Sequence, residues 1–298
     1  MVETTKTPRE PPKGDLSFGR YFTDHMFEAD WNIEKGWGKP RIVPFHDFVI
    51  HPFNTTLHYA QEGFEGLKAY RDLKGKPRLF RPLMNAERLI RTGNEICFPT
   101  FDPNEFLQCL EAYLKIDEKW VPAPPATLYV RPTIMSITNR LGIHPPTDTK
   151  LFIVASPSGP YIKTDRNYLK ILIETQGVRA WPGGSGHTKI GANYAVGLKY
   201  LADAAKKGYD QVLWLNGKHI SEGSGCAFFF YWINKKGEKE LVTPALDGTI
   251  LASITRDSVL QLAKKETGFI TSEKPVLVSD LVKAAKDKRV LSLLTSCS

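Results

Sequence analysis

The sequence predicts a mixed α/β plus α+β protein made of two domains. The chain has 298 residues, which exceeds the usual size of a single hydrophobic core. Strand-like apolar runs alternate with amphipathic helical patterns along its length. Near the middle, the segment SPSGPYIKTD at 156–165 interrupts this pattern with two prolines, a glycine and two serines. Such a composition predicts a linker between the domains.

The first domain is predicted to cover residues 1–160, as a smaller α+β domain with an N-terminal extension. TTLHYAQ and RLFRP are predicted to be extended, with LKAY between them. NAERLIRTGNEI has helical spacing and Asn85 as a plausible N-cap. PNEFLQCLEAYLKIDEKW is a second amphipathic helix, with an apolar stripe from Phe106 to Leu114. The strands ATLYVRPTIMSI and KLFIVASP then complete the domain.

The second domain is predicted to cover residues 161–298, with helices interleaved among strands. The predicted strands are LKILIETQ, QVLWLN, GKHISEG, AFFFYWI and KELVTPA. NYAVGLKYLADAAKKG is predicted to be one helix that stops at Gly208, a good C-cap. SITRDSVLQLAKKETG is predicted to be a helix capped by Ser253 or Thr255, and SDLVKAAKDK is predicted to be a third helix.

Composition narrows the classes of function. The formal net charge is +8, but the lysines are scattered, so solvated surfaces are favoured over a nucleic-acid interface. We find no apolar run of the ~18 residues that a membrane helix needs. The start, MVETTKTPREPPKGD, has neither the apolar core of a signal peptide nor an amphipathic arginine face. A cytoplasmic protein is therefore expected, and a mitochondrial isoform stays open.

The four cysteines, Cys97, Cys109, Cys226 and Cys297, are widely separated and form no CxxC pair. This spacing does not match a zinc site or a disulfide framework. The sequence therefore predicts four reduced thiols and no metal.

The loop GGSGHTKIGANYA, at 183–195, places Lys189 after a glycine-rich stretch and before a predicted helix. A nucleophilic lysine must be neutral near pH 7, which burial or nearby positive charge achieves by lowering its pKa. Gly186, Gly191 and Ala192 would let a bulky ring approach the backbone. The loop does not match a Walker A motif, because threonine and isoleucine flank the lysine. The alternative is a surface lysine in a flexible loop.

Three further segments supply groups that would complement such a lysine. ISEGSGCAFFFYW places Glu222 in a loop, where its carboxylate could bond a protonated ring nitrogen. LASITRDSV begins a helix whose backbone N–H groups and dipole suit a phosphate. RLFRPLMNAERL contributes Arg81, a charge-assisted phosphate donor. Lysine, carboxylate, helix start and arginine together predict a pyridoxal-phosphate site.

With these segments the chain resembles the branched-chain amino acid aminotransferases of pyridoxal-phosphate fold type IV, which have a D-amino acid aminotransferase-like fold. The matching segments are HYAQEGFEGLKAYR, LFRPLMNAERL, LYVRP, KIGANY, ISEG and ITRD, in family order. The resemblance implies pyridoxal 5'-phosphate as cofactor, bound by the 161–298 domain, and a homodimer. It further implies transamination of L-leucine, L-isoleucine and L-valine with 2-oxoglutarate, giving branched-chain 2-oxo acids and L-glutamate.

The resemblance also implies roles for ten residues. Lys189 would bind the cofactor covalently and move a proton at the substrate Cα. The other implied partners are Tyr194 for the phenolic oxygen, Glu222 for the ring nitrogen, Arg81 with the backbone of Ile254 and Thr255 for the phosphate, and Tyr59, Phe64, Tyr129 and Arg131 for the substrate. Taken singly, each has an ordinary alternative: a surface arginine, a turn glutamate or a core aromatic.

The chain departs from the family pattern at three places. Ala227 replaces an asparagine that braces the Glu222 loop, so a looser Glu222 is expected. Ala252 and Ser253 replace the usual Pro-Gly at the phosphate turn. The chain ends at Ser298, after DKRVLSLLTSCS, where the family continues, so we expect a truncated or altered C-terminus and an incomplete second domain. The alternatives are a catalytically impaired or silent homologue, or another fold-type IV enzyme such as a D-amino acid transaminase or aminodeoxychorismate lyase.

Overall fold

The structure, a computed structural model, describes residues 1–160 and 166–297, the last two for their backbone only. These residues form two compact units. Residues 1–160 and Lys189–Gly191 make the first unit, and residues 166–188 and 192–297 make the second. The predicted linker lies partly outside the described residues, and its first three residues continue a strand. The tripeptide containing Lys189 thus belongs to the first unit, although it lies beyond the expected boundary at 160.

The first unit is built on one antiparallel sheet. Within residues 1–160 it has eight strands in the order β2-β1-β8-β7-β5-β6, with β3 beside β1 and β4 beside β7. Residues of β7 alternate between buried and half-buried, so its two faces differ. Leu128 and Val130 belong to the core, whereas Tyr129 and Arg131 lie on the opposite face. The strands are β1 (His25–Asn32), β2 (Gly36–Trp37), β3 (Arg41–Pro44), β4 (Glu62–Phe64), β5 (Leu67–Arg71), β6 (Pro77–Leu79), β7 (Thr127–Ser136) and β8 (Asp148–Ser158).

The helices of the first unit correct two predictions. TTLHYAQ is not extended: it contains helix α1, because the Asn54 side chain accepts a hydrogen bond from Thr56 and caps the first turn. Asn85 does not begin the next helix, because Pro82 fits its first position and Arg81 is the N-cap. The helices are α1 (Thr55–Tyr59), α2 (Pro82–Glu95) and α3 (Pro103–Ile116), and a 3₁₀ turn covers Glu118–Trp120.

The second unit contains two sheets within residues 166–297. Their strand orders are β11-β10-β9 and β14-β13-β12-β15. The strands are β9 (Ile171–Glu174), β10 (Gln211–Asn216), β11 (His219–Gly223), β12 (Cys226–Ile233), β13 (Lys239–Thr243), β14 (Ile270–Glu273) and β15 (Val290–Cys297), and the helices are α4 (Ala192–Ala195), α5 (Leu198–Lys206), α6 (Ile254–Ala263) and α7 (Val278–Lys286). The single helix predicted before Gly208 is instead α4 and α5, because the chain breaks at Gly197, which packs against the Trp214 ring.

The cysteines correct a further expectation. Cys97 and Cys109 are free thiols. Cys226 is disulfide-bonded, so the prediction of four reduced thiols is wrong. The CxxC spacing rule could not find this bond, because it tests only cysteines that are close in sequence.

None of the helices in the described ranges combines the length and apolar character that crossing a membrane requires.

Candidate active site

Lys189 is held by its backbone to the first unit. The side chain is buried, and the residue is 4% exposed. Its N–H donates to Thr92 Oγ1 at 3.0 Å, and its carbonyl accepts from the Phe64 N–H at 3.0 Å. Gly63 and Ile190 form an antiparallel bridge beside these bonds. Lys189 is therefore not a surface lysine in a flexible loop.

The Lys189 side chain lies beside an aromatic and cationic cluster. Its Nζ is 4.8 Å from the centroid of the Phe64 ring. The Arg131 guanidinium carbon is 4.4 Å from the same centroid, and Arg131 Nη2 donates to the Tyr129 hydroxyl at 3.0 Å. Arg131 Nε is buried and has no hydrogen-bond partner among the described residues. The structure thus brings together four of the expected residues and provides a buried donor for an anion.

Tyr59 and Arg81 lie elsewhere in the first unit. Tyr59 ends α1 and is 39% exposed, and its hydroxyl accepts from the Gly142 N–H at 3.0 Å. Its hydroxyl thus binds the backbone of the segment at Gly142. Arg81 precedes α2 with φ 50 and ψ 47. This left-handed conformation is uncommon for a non-glycine residue and marks the start of the helix.

Glu222 lies in β11 and not in the predicted loop, and it is buried and ion-paired in the second unit. Its Oε1 is 2.6 Å from Arg179 Nη1 and accepts from the Leu251 N–H at 3.3 Å. Arg179 also donates to the carbonyls of Thr249 and Gly186, each at 3.0 Å. Three bonds orient the guanidinium, and the guanidinium compensates the buried carboxylate charge. Support for Glu222 thus comes from Arg179 and a backbone amide.

Tyr194 and the start of α6 lie near Glu222 in the second unit. Tyr194, on α4, lines a narrow cleft together with Glu222, Arg179 and Ser253. Ser253 is the N-cap of α6, and its Oγ accepts from the Arg256 N–H at 3.2 Å.

The first two amides of α6 are donors without a protein acceptor. The backbone N–H groups of Ile254 and Thr255 make no hydrogen bond within the part of the chain that the structure describes. Unpaired amides and a helix dipole at one point favour an anion.

The sequence of this chain matches a known family. Residues 63–286 match the family model described as Amino-transferase class IV. The chain belongs to the class IV aminotransferase family. Membership accounts for a buried lysine, an oriented carboxylate and a helix start with unpaired amides in one chain.

Several relatives of this class IV aminotransferase carry one name, branched-chain-amino-acid aminotransferase. The mitochondrial protein of Schizosaccharomyces pombe is 43% identical over 289 residues, which are 95% of this chain and 68% of that protein. The Dictyostelium discoideum protein is 42% identical, over 97% of this chain and 78% of its own length. The cytosolic protein of Ovis aries is 41% identical, over 99% of this chain and 78% of its own length.

Solved structures of the same family share the fold. The Escherichia coli branched-chain amino acid aminotransferase superposes with a TM-score of 0.72 at 25% identity, covering 90% of this chain and 82% of that one. The Thermobaculum terrenum enzyme in its PLP form gives a TM-score of 0.73 at 23% identity, covering 92% and 82%. The predicted fold type is therefore confirmed.

The donor set of this class IV aminotransferase fits pyridoxal phosphate. In the first unit, Lys189 offers a buried amine for the aldehyde. In the second, Glu222 offers a carboxylate with a fixed orientation, and Ile254 and Thr255 offer two amides for the phosphate. These are the groups that this cofactor requires.

Two residues of the site carried no signal in the sequence of this class IV aminotransferase. Thr92 bonds Lys189, and Arg179 bonds Glu222 and Thr249; these partners are distant in sequence, so no local motif marks the two residues. Two glycines of the lysine loop also pack against protein atoms. A Cβ at Gly186 would overlap Ala180, and a Cβ at Gly191 would overlap the Glu62 carboxylate. The lack of a side chain therefore lets Ala180 pack against Gly186 and the Glu62 carboxylate pack against Gly191.

Proposed function

We propose that this chain is a pyridoxal-phosphate-dependent branched-chain-amino-acid aminotransferase. It would transfer the amino group of L-leucine, L-isoleucine or L-valine to 2-oxoglutarate. Relatives with 41–43% identity over nearly the whole chain bear that name. The structural observation that carries the proposal is the buried Lys189 amine beside the ring of Phe64, which also contacts Arg131.

The cofactor would be held by the residues for which the resemblance implies a cofactor role. Lys189 would bind its aldehyde carbon. Glu222, oriented by Arg179, would accept a hydrogen bond from the ring nitrogen. Tyr194 would donate to the phenolic oxygen, and the amides of Ile254 and Thr255, with Arg81, would hold the phosphate. When bound, pyridoxal phosphate withdraws electrons from the substrate Cα.

The side chains of this protein would then manage the substrate and its proton. The amine of Lys189 would take the Cα proton and hold it on Nζ until it is returned. The rings of Phe64 and Tyr129 would contact the branched side chain and exclude water. When the substrate is glutamate or 2-oxoglutarate, Arg131 would donate to the second carboxylate through its buried Nε.

The proposal is tested with protein reconstituted with pyridoxal phosphate. We expect a visible absorption band that shifts on addition of L-leucine, and leucine-dependent formation of glutamate from 2-oxoglutarate. Borohydride reduction followed by peptide mass spectrometry should place the label on Lys189. Lys189→Ala should lose band and activity, whereas Lys199→Ala, on an exposed lysine of α5, should keep both. A label on another lysine, or activity only with D-alanine, would contradict the proposal.

We further infer that the chain acts as a homodimer. The family resemblance supports this, and so does a group of exposed apolar side chains in one loop of the first unit. Val49 is 103% exposed, Phe53 53% and Ile50 37%. Contiguous exposed apolar surface of this kind is typical of a protein interface. Light scattering of the purified protein should give twice the chain mass, and Val49→Asp should lower it. A monomeric wild-type protein would contradict this inference.

A further inference from the structure

Glu62 carries a carboxylate that has no role in the proposed transamination. It lies on β4 two residues before Phe64, so the two side chains lie on the same face of the sheet. In the antiparallel register, Glu62 pairs with Met135 and Phe64 pairs with Thr133. Arg131, two residues before Thr133 on β7, shares this face. Glu62 and Arg131 therefore lie on the same face, and the Phe64 ring on that face contacts Arg131.

The Glu62 carboxylate is also fixed against the lysine segment. The backbone carbonyl of Glu62 accepts from the Gly191 N–H at 3.3 Å. The carboxylate of Glu62 occupies the place where a Cβ at Gly191 would lie. Gly191 is two residues beyond Lys189. This packing places the carboxylate near the expected reaction centre without any ion pair to a described residue. Burial raises the pKa of Glu62, and the positive charge of Arg131 partly offsets that effect.

Arg131 has to serve two substrates of different charge. A branched side chain brings no charge, so the partly buried guanidinium then needs compensation from the protein. A dicarboxylate brings its own negative charge to the same donor. A carboxylate on the same face as Arg131 would favour binding of the branched-chain substrate. It would repel the second carboxylate of a dicarboxylate substrate.

We propose that Glu62 is a specificity-determining residue, whose carboxylate compensates Arg131 when an apolar side chain is bound and opposes binding of a second substrate carboxylate. The proposal rests on the proposed function for the identity of the two substrates. In this proposal, the charge of Glu62 sets the relative affinity of the site for the branched-chain substrate and for the dicarboxylate substrate.

The test measures equilibrium binding to the protein loaded with pyridoxal phosphate. The probes are glutarate, a dicarboxylate, and 4-methylpentanoate, a branched monocarboxylate, and calorimetry gives each Kd. Glu62→Gln should lower the Kd of glutarate by about three- to tenfold, because one repulsive charge near the ligand is removed. The Kd of 4-methylpentanoate should stay within about twofold. The KM for 2-oxoglutarate should fall with the glutarate Kd.

Two control variants separate charge from packing. Glu62→Asp keeps the charge and should keep the wild-type ratio of the two Kd values. Glu111→Gln removes an exposed carboxylate on α3 and should change neither Kd. An unchanged glutarate Kd in Glu62→Gln would overturn the proposal, as would equal shifts for both acids or no glutarate binding by either protein. If the ratio shifts as expected but leucine is not transaminated, the role of Glu62 stands and the proposed function fails.

Discussion

The backbone N–H of Lys189 donates to the hydroxyl of Thr92, a residue 97 positions earlier in the chain. Thr92 lies in α2 and is fully buried. Its hydroxyl therefore fixes the lysine to the helix that begins after Arg81, without touching the reacting atoms. Thr92 is a positioning residue for Lys189.

Removing this acceptor should disturb Lys189 without changing the packed shape. Thr92→Val keeps the branched side chain but leaves a buried N–H without a partner, which costs about 1–3 kcal/mol. We expect the free energy of unfolding to fall by that amount and kcat to fall about tenfold. Urea unfolding and steady-state kinetics measure the two effects. Thr92→Ser retains the hydroxyl and should restore kcat; loss of kcat in both variants would argue against the hydrogen bond.

The Arg179 guanidinium should be hard to replace with another cation. Arg179→Lys keeps the charge, but a single ammonium cannot bond Glu222, the Thr249 carbonyl and the Gly186 carbonyl together. We expect the Kd for pyridoxal phosphate to rise about tenfold, since a bond to a charged group is worth about 1.5–3 kcal/mol. Absorbance titration of the apoprotein gives the Kd. Arg78→Lys, at an exposed arginine, is the control, and equal affinities for the two variants would contradict the role of Arg179.

Two substitutions at Ser253 should separate the capping of α6 from the binding of phosphate. Ser253→Ala removes the cap and should lower the free energy of unfolding by about 1 kcal/mol. Ser253→Asp keeps a capping oxygen but adds a negative charge beside the amides of Ile254 and Thr255. It should therefore unfold like the wild type yet bind pyridoxal phosphate more weakly. Wild-type cofactor affinity in Ser253→Asp would show that the phosphate does not bind at this helix start.

The local motifs predict a reactive lysine at position 189, but they do not identify the residues that hold it. The glycine-rich loop before Lys189 and the helix start at Ile254 are short segments whose chemistry is readable from adjacent residues. Thr92 and Arg179 act across 97 and 70 residues of sequence. No periodicity or spacing rule connects such positions, so only the fold could identify them.

Two errors in the predicted elements each arise from the hydrogen bond of one polar side chain. TTLHYAQ is rich in threonine and tyrosine, which favour strands, yet the Asn54 cap and the left-handed Ala60 enclose one short helix there. Asn85 has the side chain of an N-cap, but it donates to the buried Glu65 carboxylate at 2.8 Å instead. In both cases, the sequence pattern does not specify the hydrogen-bond partner of the asparagine side chain.

Stability should depend on pH through His46 and Glu28. A bond from the ring to the Asp47 carbonyl, and the ion pair with Glu28, raise the pKa of His46. Burial opposes ionisation of Glu28, but hydrogen bonds from Lys150 and His46 outweigh it and lower the pKa of Glu28. A raised histidine pKa contributes stability below its unfolded value, about 6.5, and this contribution is lost as pH rises through the folded value.

The matched variant is His46→Gln. The difference in thermal midpoint between wild type and His46→Gln should be larger at pH 6 than at pH 8.5. Glu28 stays ionised across this window, because its lowered pKa lies below it. Differential scanning fluorimetry in buffers of equal ionic strength measures the midpoints. A difference that does not change with pH, or that grows toward pH 8.5, would disprove the titration of His46.

The tripeptide Lys189–Gly191 groups with residues 1–160, although it is flanked on both sides by residues of the other unit. During synthesis, the ribosome therefore releases most of the first unit well before the three residues that complete its edge beside Gly63. A chimera that joins the first 160 residues to the remainder of a homologue would inherit a foreign tripeptide at that edge. Compatibility of such recombinants should depend on the match between Gly63, Thr92 and the incoming lysine segment more than on the sequence at the crossover point.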